Sequence, residues 1–235
     1  MSALAEQPPS ARHQAFLLRR AAASARHLRR IPTIALHDAF PGIGELEITI
    51  SHRFRPRGLP YGDAYVLALL IAHLQPRRIF EIGTGTGEAT LLMARQAPGA
   101  RIDTLDLGAG AASLSTQRGD PPLAASNVGQ AFRGTDCARR IEQHLGDSAT
   151  FDFRPFHGQI DVVFVDGAHT AGYVASDSRA AFAMANGRGV VIWDDCHLYH
   201  PDVSRILSRQ QRRICRIGGS RLALWRAAEY DGVSA

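Results

Sequence analysis

Arg77-Arg78-Ile79-Phe80-Glu81-Ile82-Gly83-Thr84-Gly85-Thr86-Gly87-Glu88 is the stretch on which the reading of this chain turns. An apolar strand carries one acid and runs into a loop with glycine at every second position. Glycine lacks a Cβ and tolerates positive φ, so such a loop lets the backbone approach a nucleotide-like ligand closely. A helix expected from about Gly87 turns its free N–H groups toward that ligand. A dinucleotide fingerprint reads G-x-G-x-x-G. Counted from Gly83, its last glycine falls at position 88, which is Glu88.

Outward from this stretch, strands and helices alternate. On the N-terminal side, Gly58-Leu59-Pro60-Tyr61-Gly62-Asp63 caps a helix over about Ala64–Leu74, apolar nearly all round and therefore expected against the sheet. On the C-terminal side, Pro98-Gly99 stops the first helix, and strands follow at Arg101–Leu107, about Arg140–Leu145, and Ile160–Val165. Val174, Ala181, Phe182 and Ala185 make one face of a helix over Tyr173–Asn186, which Gly187-Arg188-Gly189 should end. A strand at Val190–Trp193, a helix over about Val203–Gln211, and a hairpin of Arg213–Ile217 and Arg221–Arg226 complete the pattern. This predicts an α/β fold with a doubly wound, mostly parallel sheet ending in an antiparallel edge. Leu46-Glu47-Ile48-Thr49-Ile50 alternates like a short strand, residues 1 to about 10 read as disordered, and residues 12–30 read as a basic helix ended by Pro32. Residues 108 to about 134 are rich in Gly, Ala, Ser and Pro without a period, and unstructured loops of this length are often functional.

A chain of 235 residues with 45% hydrophobic content suits one core with an N-terminal extension, divided here as 1–58 and 59–235. All 27 basic residues are arginine, which excludes a Schiff-base lysine, a P-loop lysine and a lysine general base. The formal charge is +5, but the arginines are scattered and not interleaved with aromatics, which argues against nucleic acid as partner. Cys137, Cys196 and Cys215 are too few and too far apart for a disulfide framework or a metal knuckle, which points to a reducing, cytoplasmic setting. No apolar run reaches membrane-spanning length, so no membrane partner is expected. The arginine-rich N-terminus, with the single acid Glu6, has some look of an organellar transit peptide; a surface helix is the preferred reading.

In an open α/β sheet the ligand sits beyond the C-terminal ends of the strands. Every one of those ends is acidic here: Glu81, Asp106, Asp147, Asp166, and the pair Asp194-Asp195. Helix capping explains one such acid but not five. Asp106 lies about 20 residues after the glycine loop, the distance expected of a carboxylate that holds a ribose diol. Asp166, Asp194 and Asp195 converge if their strands are neighbours; they must then be protonated, hydrogen-bonded, or bridged by Mg²⁺ or another divalent cation. The bland alternative is that one of them caps a helix and another binds the cofactor amine. His169, His197 and His200 are candidate bases, His169 foremost because it follows Asp166 by three residues.

From Leu59 to Arg226 the chain resembles a bacterial family of class I S-adenosylmethionine (SAM)-dependent methyltransferases. The resemblance rests on Glu81-Ile82-Gly83-Thr84-Gly85-Thr86-Gly87, Thr104-Leu105-Asp106-Leu107, Gly146-Asp147-Ser148, Asp166-Gly167-Ala168-His169 with Asp177, Val191-Ile192-Trp193-Asp194-Asp195, and Ile217-Gly218-Gly219-Ser220-Arg221-Leu222-Ala223. Ala171 stands where the family usually has tyrosine, and Asp194-Asp195 looks more like the strand end of metal-dependent O-methyltransferases of the catechol and macrolide-sugar types. The resemblance implies a Rossmann-like seven-stranded sheet, SAM as cofactor, and a small-molecule or sugar acceptor. It places Glu81, Gly83, Thr84, Gly85 and Gly87 around the methionine part, Asp106 on the ribose, Asp147 and Ser148 at the adenine, and Asp166 at the cofactor or a metal. Asp166, Asp194 and Asp195 would be the metal set, with His169 and Asp195 as catalytic groups. Relatives commonly form dimers through N-terminal elements, so a homodimer is a further expectation. The rivals are a nicotinamide oxidoreductase, against which Glu88 counts, and a non-catalytic binding module for RNA or protein, supported only by the basic N-terminus.

Overall fold

The computed structural model describes residues 11–50, 58–107 and 127–227. Most of the 108–134 loop therefore lies outside the described residues, as does the expectation of disorder for the first ten. In chain order the elements are α1 (Ala11–Leu28), β1 (Thr33–Ile34), α2 (Leu36–Ala39), α3 (Tyr61–Leu74), β2 (Arg78–Ile82), α4 (Glu88–Gln96), β3 (Arg101–Asp106) and β4 (Ile141–Leu145). They continue with β5 (Ile160–Val165), α5 (Ala171–Met184), β6 (Ala185–Trp193), α6 (Pro201–Leu207), β7 (Cys215–Ile217) and β8 (Ala223–Arg226).

The strands form one sheet in the order β1-β7-β8-β6-β5-β2-β3-β4. All neighbours are parallel except β8, which runs antiparallel to β6 and to β7. The sheet thus has the expected mostly parallel, doubly wound architecture with eight strands instead of seven. The added strand is β1, which pairs Thr33 with Arg216 and Ile34 with Ile217. The C-terminal hairpin is consequently covered on its outer side and does not end the sheet.

Side chains alternate between two cores. Val162 and Phe164 of β5 face the layer holding α3 and α4. Val163 and Val165 face the layer of α5 and α6, where Leu28 and Ile31 also pack. Burial on both faces is why the central strands read as continuous apolar runs.

Two local expectations are corrected. Leu46–Ile50 forms no strand. Leu46, Ile48 and Ile50 are partly buried on the α3/α4 core, and Gln96 at the end of α4 donates to the Thr49 carbonyl at 3.0 Å. One-sided burial against helices gives the same alternation as a strand. The triplet Gly187–Gly189 does not end the helix, which stops at Met184; it lies inside β6, where the register with β5 shifts. A Cβ on Gly189 would come within 2.8 Å of the Ala185 Cβ, so the doubled-back backbone there needs glycine.

Candidate active site

The glycine loop is shaped from both sides. Gly83 has φ of +101°, and a Cβ there would lie 2.0 Å from the Asp166 carbonyl oxygen, where the ends of β2 and β5 meet. Gly87 caps α4 in the left-handed region and lies against Phe132. Gly85 also has positive φ, +52°, but a Cβ on it would meet nothing within 4 Å. Its free side is open space at the strand ends. The segment after residue 126 closes over the loop's other flank: Gly129 N–H donates to Gly85 O at 3.0 Å and Ala131 N–H to Thr86 O at 2.8 Å.

Glu81 works beneath this loop. Its Oε2 accepts from Thr90 of α4 at 2.5 Å and from Thr104 of β3 at 2.6 Å, and Thr104 Oγ1 is 2.7 Å from Thr84 Oγ1. Burial pushes the Glu81 carboxyl up to about 8, so it is largely protonated at neutral pH. A protonated acid tying β2, β3 and α4 together sets the loop's geometry from below.

Asp106 stands across the loop, with Oδ2 accepting the Gly85 N–H at 2.6 Å. Burial raises its pKa, opposed by amide bonds from Gly85 and Leu107. Asp147 at the end of β4 accepts the Ala149 N–H at 2.9 Å, and Tyr173 of α5 lies against it. Ser148 is beside the buried Asp177, whose carboxyl burial lifts to about 6. The β4 end and α5 therefore form one polar wall beyond the glycine loop.

The densest chemistry lies beyond β5 and β6, which are neighbours as the acidic ends required. Asp195 is buried and has φ of +57°. Left-handed backbone is uncommon outside glycine and costs of order 1 kcal/mol, a strain that recurs at functional sites. It turns the carboxylate toward three histidines. His169 Nε2 is 2.7 Å from Oδ2, His200 Nε2 is 3.5 Å from Oδ2, and His197 Nε2 is 3.1 Å from Oδ1. Burial opposes ionisation of Asp195, but the bonds from His169 and His197 outweigh it and hold the carboxyl well below its usual range. Asp194 and Asp166 go the other way. Burial first, then the neighbouring carboxylates, lifts Asp194 to about 7 and Asp166 well above the ordinary value. Ligand oxygens of Asp166, Asp194 and Asp195 lie within 4.8 Å of one another. Burial pushes the Cys196 thiol up to about 12, which disfavours the thiolate a nucleophile needs.

Sequence reasoning missed two members of this cluster. Arg221, in the turn before β8, reaches Asp195 Oδ1 at 2.9 Å and Asp194 Oδ2 at 3.4 Å. Asp63 in the first turn of α3 is 2% exposed and holds that guanidinium at 2.6 Å and the Arg221 N–H at 2.8 Å. The only signal was an acid in an otherwise apolar first turn, which reads as an ordinary helix-start residue. The convergence of the three acids is thus partly met by an internal cation and partly by protonation.

Residues 80–196 match the model of a family described as methyltransferase domain. Among solved structures, the cofactor-bound Rv0187 from MTB is 20% identical, with a TM-score of 0.53 over 94% of this chain and 99% of that one. An O-methyltransferase from Bacillus cereus in complex with SAH is 17% identical, with a TM-score of 0.51 over 95% of this chain and 93% of that one. Both likenesses are of fold. No curated protein matches the sequence.

Proposed function

Starting from the chain's membership of the class I SAM-dependent methyltransferases, we propose that it methylates an oxygen of a small-molecule or sugar acceptor, assisted by a divalent cation. The observation that carries this reading is the cluster around Asp195, which joins the glycine loop where Gly83 packs on the Asp166 backbone and brings together a carboxylate, imidazoles and further acids. We assign residues 59–235 to the methyltransferase domain and residues 1–58 to an N-terminal extension. No helix among the described residues is long and apolar enough to cross a membrane.

The residues fit the cofactor. Gly85 leaves an open cradle that a side chain would fill. Asp106 offers a second carboxylate oxygen beyond the one bonded to Gly85, suited to the ribose hydroxyls. Asp147 and Ser148 would face the adenine. SAM, when bound, supplies an electrophilic methyl group, so the protein must deliver a deprotonated acceptor oxygen in line with it. His169 is the base: Asp195 Oδ2, 2.7 Å from its Nε2, orients the imidazole that takes the acceptor's proton. The anionic Asp195 then stabilises the imidazolium that forms.

The donor set also fits a hard cation. Asp166, Asp194 and Asp195 would hold it, and Asp194 Oδ1 is buried with no hydrogen-bond partner among the described residues. Such an ion would lower the pKa of an acceptor hydroxyl. Arg221 limits how many of these carboxylate charges an ion must meet.

Calorimetric titration with SAM and with NADH, each in EDTA and in Mg²⁺, tests the reading. Micromolar SAM binding without NADH binding is expected, and Asp195→Ala should retain SAM affinity while losing at least about a hundredfold in turnover. Failure to bind SAM under either condition refutes it.

A further inference from the structure

The two oxygens of Asp195 have different company. Oδ1 faces His197 and Arg221, while Oδ2 faces His169 and His200. We propose that His169, Asp195 and His200 form a zinc-type transition-metal site, separate in donor chemistry from the all-carboxylate set and sharing only Asp195 with it.

The geometry is close to what such an ion needs. Two donors at 2.0–2.2 Å from a tetrahedral zinc lie roughly 3.3 Å apart. The Nε2-to-Oδ2 distances here are 2.7 Å for His169 and 3.5 Å for His200, and the three ligand atoms lie within 4.8 Å of one another. The imidazole rings of His169 and His200 already lie together, their centroids 4.3 Å apart and their planes tilted by 48°. His200 Nδ1 is buried and has no hydrogen-bond partner among the described residues, so the hydrogen-bond network alone does not account for this ring's placement. The loop that carries it is held from outside, because Arg20 Nε of α1 donates to the Tyr199 carbonyl at 2.6 Å and Tyr199 N–H is 3.3 Å from His197 Nδ1. The site is therefore pre-formed.

Donor chemistry separates the two sets. Two imidazoles and one carboxylate, with positions left open, suit Zn²⁺ and its first-row neighbours, whereas three carboxylates suit Mg²⁺. A zinc ion on Oδ2 would compete with the hard cation for Asp195. It would also occupy His169 and so block acceptor deprotonation; this last consequence rests on His169 being the base, whereas binding does not.

The test uses the full chain stripped with EDTA and titrated with ZnCl₂ by calorimetry and with CoCl₂ by visible absorption. One Zn²⁺ per chain and a visible Co²⁺ ligand-field spectrum are expected. His200→Ala and the size-keeping His200→Gln should weaken Zn²⁺ at least about a hundredfold and abolish the Co²⁺ spectrum, with SAM affinity and circular dichroism as in the parent. Unchanged zinc affinity in both variants overturns the site, and so does the absence of zinc binding by the parent. If zinc binds through His200 without slowing methyl transfer, the site stands and the base assignment falls.

Discussion

Replacing Arg221 with methionine removes a guanidinium that joins Asp63, Asp194 and Asp195. The methionine stem fills most of the same volume, so the loss is chiefly of charge and hydrogen bonds. Breaking a buried ion pair from one side costs about 3–5 kcal/mol, because the abandoned carboxylates stay buried. The Arg221 side chain is 31% exposed, which places the expected loss near the lower end, about 3 kcal/mol. For a domain of this size that is a fall of about 6–12 °C in Tm. The deficit should depend on pH. Asp194 titrates near 7 in the fold, above its unfolded value, so the fold binds its proton more tightly and native stability declines as pH rises from about 4 to 7. Without Arg221 that carboxyl is pushed higher still. At pH 8 the parent keeps Asp194 ionised beside the guanidinium, whereas the variant either buries an unpaired anion or takes up a proton. At pH 5 Asp194 is protonated in both proteins, and the deficit narrows to the lost contacts with Asp195 and Asp63. Urea denaturation of both proteins from pH 5 to 8.5 measures this. A deficit below 1 kcal/mol at pH 8, or one that does not change with pH, refutes the reasoning.

Three further outcomes are expected. Gly85→Ala places a methyl group in open space at φ of +52°, so stability should fall by about 1–2 kcal/mol while SAM affinity falls more than tenfold; equal, small losses in calorimetry and denaturation would mean that no ligand fills that cradle. Asp106→Ala should weaken SAM by about a hundredfold, the worth of two hydrogen bonds to a charged group, with the melting temperature little changed; unaltered titration curves would remove Asp106 from the site. Glu81→Gln should remove a pH slope: the parent's stability falls as pH rises from about 4.5 to 8, by up to about 1.4 kcal/mol per unit, and the variant's should be flatter over that window in urea denaturation.

The glycine spacing, the apolar strands and the acids at their ends were legible in the sequence because each depends on local rules: conformational freedom, period and chain direction. They determined the α/β class, the mostly parallel sheet, and the candidacy of Glu81, Gly85, Asp106, Asp166, Asp194, Asp195 and His169. The alternation at Leu46–Ile50 misled because helices can bury one side of an extended segment as a sheet does. Strand β1 was invisible because two residues carry no period. The tertiary structure alone decided the pairings across long separations. Asp63 and Arg221 are 158 residues apart and meet only because α3 and the β8 turn lie at the same end of the sheet. His197 and His200 gained their setting only when the left-handed backbone at Asp195 aimed one carboxylate at three imidazoles. Sequence fixes which groups are available, but charge neutralisation among buried acids is a property of distances, and distances exist only in the folded chain.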